Sequence, residues 1–409
     1  LQQLSRPVAI AMWDFSWLLR HHRTGEFEDW DRVLAGLCER GYNAVRIDAF
    51  PHLTAEPVAG TPAPEEYLCR KEFRGADTWG NRYSTRIRPR AALIEFLGRC
   101  RAHGIAVGLS TWWLGHGIER QDPLAGADDF VRAWDETLRA IERHGLMDVL
   151  LYVDILNEYP RWHGWNWFHE QVRQRDQAAQ KPADPDQAHI WQASQTADRS
   201  ARRFYRDFAS EVLERLDTRW PGLGFFASLS YDTQPEAELD LAKFGALDYH
   251  VWMTHCPGCG EATGYFDWIH PMADDFHFEE FVARRNAYWA AHRDEMIRWM
   301  DGQIGAIAAA GRRHGIPCGN TEGWGEINLL DHPFLDWEWV KECGGLCVDL
   351  AINHGYRFIC TSNFTHPQFP GIWNDVAWHR LLTARIKDKP GAVVIVYREQ
   401  SRMNTKEHE

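Results

Sequence analysis

Along this chain, helical segments end repeatedly in a basic residue or histidine followed by glycine, and an apolar run follows at once. The copies are Arg40-Gly41, His103-Gly104, His144-Gly145, His314-Gly315 and His354-Gly355. Glycine just past a helix end takes the left-handed conformation that stops the helix, and a cation beside it suits the negative end of the helix dipole. The runs that follow, such as Val149-Leu150-Leu151-Tyr152-Val153, are apolar without alternation. That is the pattern of parallel strands buried on both faces. The strands expected are Val8–Trp13, Asn43–Asp48, Ile105–Ser110, Val149–Leu156, Leu223–Leu229, Leu247–Trp252, Ile316–Thr321 and Tyr356–Thr361. Helices are expected near 28–40, 88–103, 126–144, 196–217, 236–243, 276–313, 336–353 and 374–386. Eight such alternations predict an α/β fold of the (β/α)8 TIM-barrel type, although a doubly wound open sheet would look similar locally.

The connections sharpen that expectation. Links from helix to strand are short, whereas the strand-to-helix links 49–87, 157–194 and 253–275 are long and rich in aromatic residues. Barrels carry their function on that side. Nothing reads as a linker or low-complexity block, so residues 1–409 are expected to form one domain. Within 388–409, the apolar run Ala392–Tyr397 is expected as an outer strand ahead of a fraying charged end.

Composition changes the picture in three places. A net charge of −13 argues against nucleic acid or an anionic membrane as a partner, and no apolar stretch is long enough to span a bilayer. The nine cysteines are odd in number and mostly fall inside predicted elements, which suits a reducing compartment and makes the cytoplasm the expected location. A leader ahead of Leu1 stays open. The 21 tryptophans are the anomaly. Exposed indoles stack on the apolar face of a sugar ring, and they also gather at subunit interfaces, so a homo-oligomer stays open.

Cleaving a glycosidic bond with retention needs two carboxyl groups about 5–5.5 Å apart, one protonated and one ionised. The fourth strand runs into Asn157-Glu158 and the seventh into Glu322. Those strands face each other across a barrel mouth, so the two acids converge. Singly, each glutamate reads as a solvated loop residue; the pair at these two strand ends is the signal.

The segments Gly41-Tyr42-Asn43-Ala44-Val45-Arg46-Ile47, Asp154-Ile155-Leu156-Asn157-Glu158-Tyr159-Pro160 and Asn320-Thr321-Glu322-Gly323-Trp324-Gly325 resemble the clan-A glycoside hydrolases, most of all cellulase-like family 5 enzymes. The resemblance implies Glu158 as acid/base, Glu322 as nucleophile and Asn157 as the group that holds the 2-hydroxyl. Arg46 would then keep the nucleophile ionised. His250 matches the family's His-x-Tyr element, but Trp252 stands where its tyrosine is usual. Strand eight runs into Thr361-Ser362-Asn363-Phe364, so Phe364 or the later Trp373 would replace the usual tryptophan platform, and Asn363 is a further candidate for substrate contact. Trp13, Asp48, Trp112, Trp113, His116 and Trp324 are further candidates for sugar contact, each equally readable as core.

The expected activity is therefore that of a retaining β-glycoside hydrolase, without cofactor, on a neutral β-linked oligosaccharide or glycan. Whether the loops make a pocket for exo-action or a groove for a polymer stays open. One alternative is a silent carbohydrate-binding barrel. Another is a metal-dependent barrel hydrolase, prompted by His52, His116, His250 and His255. Such hydrolases usually carry His-x-His after strand one, where this chain has Trp13-Asp14-Phe15. Cys256-Pro257-Gly258-Cys259, flanked by His255 and His270, resembles half a zinc site, but no second pair completes it and no metal is expected. Glu326 ranks second as nucleophile.

Overall fold

Eight parallel strands, each followed by helix, form one sheet in the computed structural model. It describes residues 7–55, 64–70, 78–81, 83–114, 124–175, 199–265, 278–325, 331, 333 and 335–388. The strands are β1 (Val8–Asp14), β2 (Ala44–Asp48), β3 (Ala106–Ser110), β4 (Leu150–Asp154), β5 (Phe225–Phe226), β6 (Leu247–Asp248), β7 (Cys318–Asn320) and β8 (Phe358–Cys360). Their order in the sheet is β5-β4-β3-β2-β1-β8-β7-β6. The two outer strands meet through a parallel bridge between Leu229 and Tyr249, which closes the (β/α)8 barrel. His116, Glu326, His270 and the expected outer strand and tail lie outside the described residues.

The main helices are α1 (Trp30–Glu39), α2 (Pro89–Ala102), α3 (Gly126–Arg143), α4 (Arg199–Arg219), α5 (Pro235–Glu238), α6 (Phe278–His314), α7 (Glu338–Asn353) and α8 (Val376–Asp388). Local chemistry explains their ends. The Asp29 side chain accepts the backbone N–H of Arg32 to start α1, and α2 opens on Pro89. The five glycines of the sequence repeat all have positive φ, from 64° at Gly145 to 84° at Gly355, as the helix-stop reading requires. Along α3 the buried Phe130, Trp134, Leu138 and Ile141 recur at helical spacing, which turns one stripe onto the barrel. Trp134 Nε1 also donates to Ile155 O at 3.0 Å, just beyond β4.

Inside the barrel a layer of rings is matched by glycines. Tyr152, Phe226 and Phe358 lie with ring centroids 4.9–6.1 Å apart. A Cβ on Gly108 would collide with Tyr152, and one on Gly319 would collide with Phe358. The long strand-to-helix links carry structure of their own: an antiparallel hairpin (Tyr67–Cys69 with Thr85–Ile87) after β2 and a helix (Asn166–Arg175) after β4. Most tryptophans belong to the core: Trp13, Trp17, Trp134, Trp324 and Trp337 are fully buried. Among the cysteines only Cys38 is exposed. No helix among the described residues is long and apolar enough to cross a membrane.

Overpacking a filled layer costs about 1–3 kcal/mol. Gly319→Ala is therefore expected to lower unfolding stability by about that much in urea titrations, whereas a stability equal to the parent would show that the ring layer is loosely packed.

Candidate active site

The site is assembled around Arg46, which β2 delivers fully buried at the barrel mouth. Its Nη1 donates to Glu322 Oε2 at 2.9 Å. Its Nη2 donates to Ser110 Oγ at 3.1 Å and to Asn157 Oδ1, and its Nε faces Asp14 Oδ1 at 3.5 Å. Asp154 Oδ2 lies 3.7 Å from Nη2. Burial opposes the guanidinium's charge, but Asp14, Glu322 and Asp154 outweigh it and hold the arginine protonated.

Glu158 comes from a turn rather than from the strand itself. β4 ends at Asp154, two residues earlier than the sequence pattern suggested, because the chain bends there while keeping its ladder partners. Ile155 N donates to Phe226 O, Asn157 N to Thr111 O and Tyr159 N to Ser228 O, all at 2.7–2.8 Å. Glu158 has φ of 45°, a left-handed conformation costly for a side-chain-bearing residue. Ser228 holds it there: its Oγ accepts Glu158 N at 3.0 Å and donates to Asp154 Oδ2 at 2.8 Å.

His250 sits between the two glutamates. Its Nδ1 lies 2.9 Å from Glu158 Oε1 and 3.6 Å from Glu322 Oε2. Asp248 secures the neighbouring turn by accepting Thr321 N at 3.0 Å and Thr321 Oγ1 at 2.6 Å. Burial pushes His250 down, but Glu322, Asp248 and Glu158 together bring it up to about 10, so it is an imidazolium at neutral pH. One ligand atom from each of Glu158, His250 and Glu322 lies within 4.8 Å of the others.

Burial raises both carboxyls. Glu158 reaches about 7: the His250 hydrogen bond lowers it and the charge of Glu322 raises it further. Glu322 is raised by the same desolvation, opposed by His250 and Arg46. Geometrically the three ligands could hold a metal ion. A protonated His250 has no lone pair on either nitrogen to give, and the Arg46 charge on Glu322 repels a dication, so the donor set fits a metal poorly.

The remaining candidates divide. Trp112 lines the mouth, half-buried, with its Nε1 donating to Asp14 Oδ2 at 2.6 Å. Asn363 Oδ1 accepts Gly323 N at 2.6 Å, which fixes the turn after Glu322. Trp252 stands at the rim, its backbone paired with Trp324. Tyr249 does not take over the missing tyrosine contact, since its hydroxyl donates to Tyr231 O and Thr233 O. Asp48 is a loop clamp that accepts Phe50 N and Trp112 N, and it makes no pair with Arg46. Trp13 and Trp324 are fully buried and donate to Thr365 O and Cys360 O. Trp113 packs between His52 and Phe130 at 5.1 and 4.7 Å. Trp373 lies under the Arg40 guanidinium on the outer helices, 3.9 Å from ring to cation, away from the mouth. These four rings have no face left for a sugar. The reading by residue type missed Asp154, Asp248, Ser110 and Ser228. Acids inside apolar strand runs were their signal, because a buried carboxyl demands partners.

The chain belongs to the cellulase-like family, described as sugar-binding, whose family model matches residues 10–387. It is a clan-A, cellulase-like glycoside hydrolase barrel. A protein of Parabacteroides distasonis, assigned provisionally to the glycoside hydrolases, is 30% identical with a TM-score of 0.77, over 94% of each chain. A glycoside hydrolase family 5, subfamily 18 protein of Streptomyces cattleya, solved with GlcNAc, aligns at 10% identity and TM-score 0.50, over 92% of this chain and 79% of that one. A variant of it, solved with Manβ1-4GlcNAc, gives 11% and 0.52 over 95% and 82%. No curated protein sequence matches the chain.

The unfolded chain ionises Glu158 near the ordinary carboxyl value, while the folded chain holds the proton up to about 7. Stability therefore falls as pH rises between those two values and stays lower above them. Relative to the parent, Glu158→Gln is expected to gain about 2–3 kcal/mol between about pH 4 and pH 8. Denaturant titrations at the two pH values check this; a difference independent of pH would contradict the raised carboxyl.

Proposed function

We propose that the chain is a retaining β-glycoside hydrolase that acts by double displacement on a neutral β-linked oligosaccharide or glycan. The observation that carries the reading is the pair Glu158 and Glu322, with oxygens within 4.8 Å across the mouth and Arg46 hydrogen-bonded to Glu322 alone of the two. The spacing suits a covalent glycosyl-enzyme, for which the carboxyl groups stand about 5–5.5 Å apart. Arg46 favours the negative charge on Glu322, and desolvation keeps the proton on Glu158.

Glu322 attacks the anomeric carbon while Glu158 gives its proton to the departing glycosidic oxygen. Water then enters, Glu158 takes a proton from it, and the bond to Glu322 breaks with the original configuration restored. Asn157 accepts from Arg46 through Oδ1, which leaves Nδ2 to donate to a sugar hydroxyl. Seated between both acids, the His250 imidazolium damps the repulsion that two carboxylates would suffer.

Glu322→Ala is expected to lower kcat by about 10⁴- to 10⁶-fold, with azide restoring turnover of an aryl β-glycoside to an α-glycosyl azide. Full activity in that variant would remove Glu322 from the chemistry. Because the first step needs protonated Glu158, kcat/KM is expected to fall as pH rises through about 7. A rate that climbs through that range would contradict Glu158 as the acid.

A further inference from the structure

We infer that the glycone side of the site is a closed pocket one sugar deep, sealed by Trp79, so that single sugars are removed from the non-reducing end. This deepens the glycosidase reading and rests on it for which side is which. The acid's proton goes to the oxygen that leaves with the aglycone, so the aglycone lies toward Glu158 and β5. The glycone runs the opposite way, toward the loops after β8, β1 and β2.

Trp79 is packed among those loops. It belongs to the long link after β2 and is buried. Its ring meets Trp112 edge-on at 6.3 Å and Phe364 edge-on at 6.1 Å, and lies nearly parallel to His366 at 6.2 Å. Trp112 in turn is anchored to Asp14, which faces Arg46. The plug thus stands two side chains away from the guanidinium that holds Glu322.

Its backbone is tied down from two other loops. Gln368, after β8, donates from Nε2 to Trp79 O at 3.2 Å and to Ser16 Oγ at 2.9 Å. Asn81 donates to the same Ser16 Oγ at 3.1 Å, and Arg20, after β1, donates to Gly80 O at 2.7 Å. Trp79 itself has φ of 59°, a left-handed conformation that persists in a tryptophan only where its surroundings enforce it. A polymer groove needs this end open, whereas the loops after β1, β2 and β8 are here laced to one another.

Buried polar atoms without partners are left over along this side of the mouth. Asn157 Nδ2, Asn363 Nδ2 and Trp79 Nε1 are buried, and none has a hydrogen-bond partner among the described residues. All three are donors, Asp14 Oδ1 and Gln368 Oε1 beside them are acceptors that likewise lack a hydrogen-bond partner, and each unsatisfied group costs about 1–3 kcal/mol. A ligand bringing several closely spaced hydroxyl oxygens relieves that cost, and a sugar ring does so while presenting an apolar face to Trp112.

The test uses 4-nitrophenyl β-glycosides of disaccharides in gluco, manno, galacto and N-acetylglucosamine configurations, with first products resolved by mass spectrometry. Release of one sugar and an aryl monoside is expected. Release of nitrophenol with the intact disaccharide would overturn the inference, since two sugars would then fit on the glycone side. Calorimetry with a monosaccharide imino sugar, and with the same imino sugar extended by one residue at its non-reducing end, reads the pocket without turnover. The extended compound is expected to bind about 10- to 100-fold more weakly, the cost of forcing atoms into a packed wall. Trp79→Ala should erase that difference, and Gln368→Ala, which loosens the plug while keeping its ring, should reduce it. Equal or tighter binding of the extended compound to the parent protein would overturn the inference. If no glycoside is hydrolysed yet the binding difference holds, the glycosidase reading fails and the closed pocket stands.

Discussion

A buried guanidinium is tolerable only where anions and acceptors surround it, and Arg46 sets that requirement at the centre of the mouth. Asp14 from β1, Ser110 from β3, Asp154 and Asn157 from β4 and just beyond it, and Glu322 after β7 all turn toward it. One cation thus determines where side chains from four other strands must point. Hydrogen-bond direction then divides their work. Ser110 also donates to Asp154 at 2.7 Å, and Asp154 accepts Ser228, which holds the backbone of Glu158.

The same low-dielectric setting governs the protons. Five acids, Asp14, Asp154, Glu158, Asp248 and Glu322, are gathered around two cations, Arg46 and His250. With so few positive charges, not every carboxyl can ionise at neutral pH, and the least compensated ones keep a proton longest. Asp248, beside His250 and Thr321, is the one held below its ordinary value despite its burial. Glu158, whose one cationic neighbour is His250, is among those pushed up, to about 7. Glu322 has both Arg46 and His250 beside it, whereas Glu158 has His250, so two carboxyls of the same residue type are compensated unequally.

The barrel was readable in the sequence because its signals are local: glycine stops after five of the helices, and apolar runs of strand length. The two glutamates were readable because strand ends in a barrel are positions with a known direction. What escaped depends on packing. Tryptophan serves a core wall as well as a sugar face, so Trp13, Trp113, Trp324 and Trp373 looked like platforms until their neighbours were in place. Asp48 looked like a sugar contact because it ends a strand at the mouth, but the backbone N–H groups of Phe50 and Trp112 claim it. Trp79 carried no signal at all, since its position comes from hydrogen bonds spanning 289 residues to Gln368.

The central claim is that Glu322 forms a bond to the sugar while Glu158 supplies the proton. Incubation with activated 2-deoxy-2-fluoro β-glycosides slows the second step and lets the intermediate accumulate, and peptide mass spectrometry then locates the added sugar. A single glycosylated peptide modified at Glu322 is expected. A sugar found on any other residue, or prompt turnover with the configuration inverted and no adduct, would contradict it.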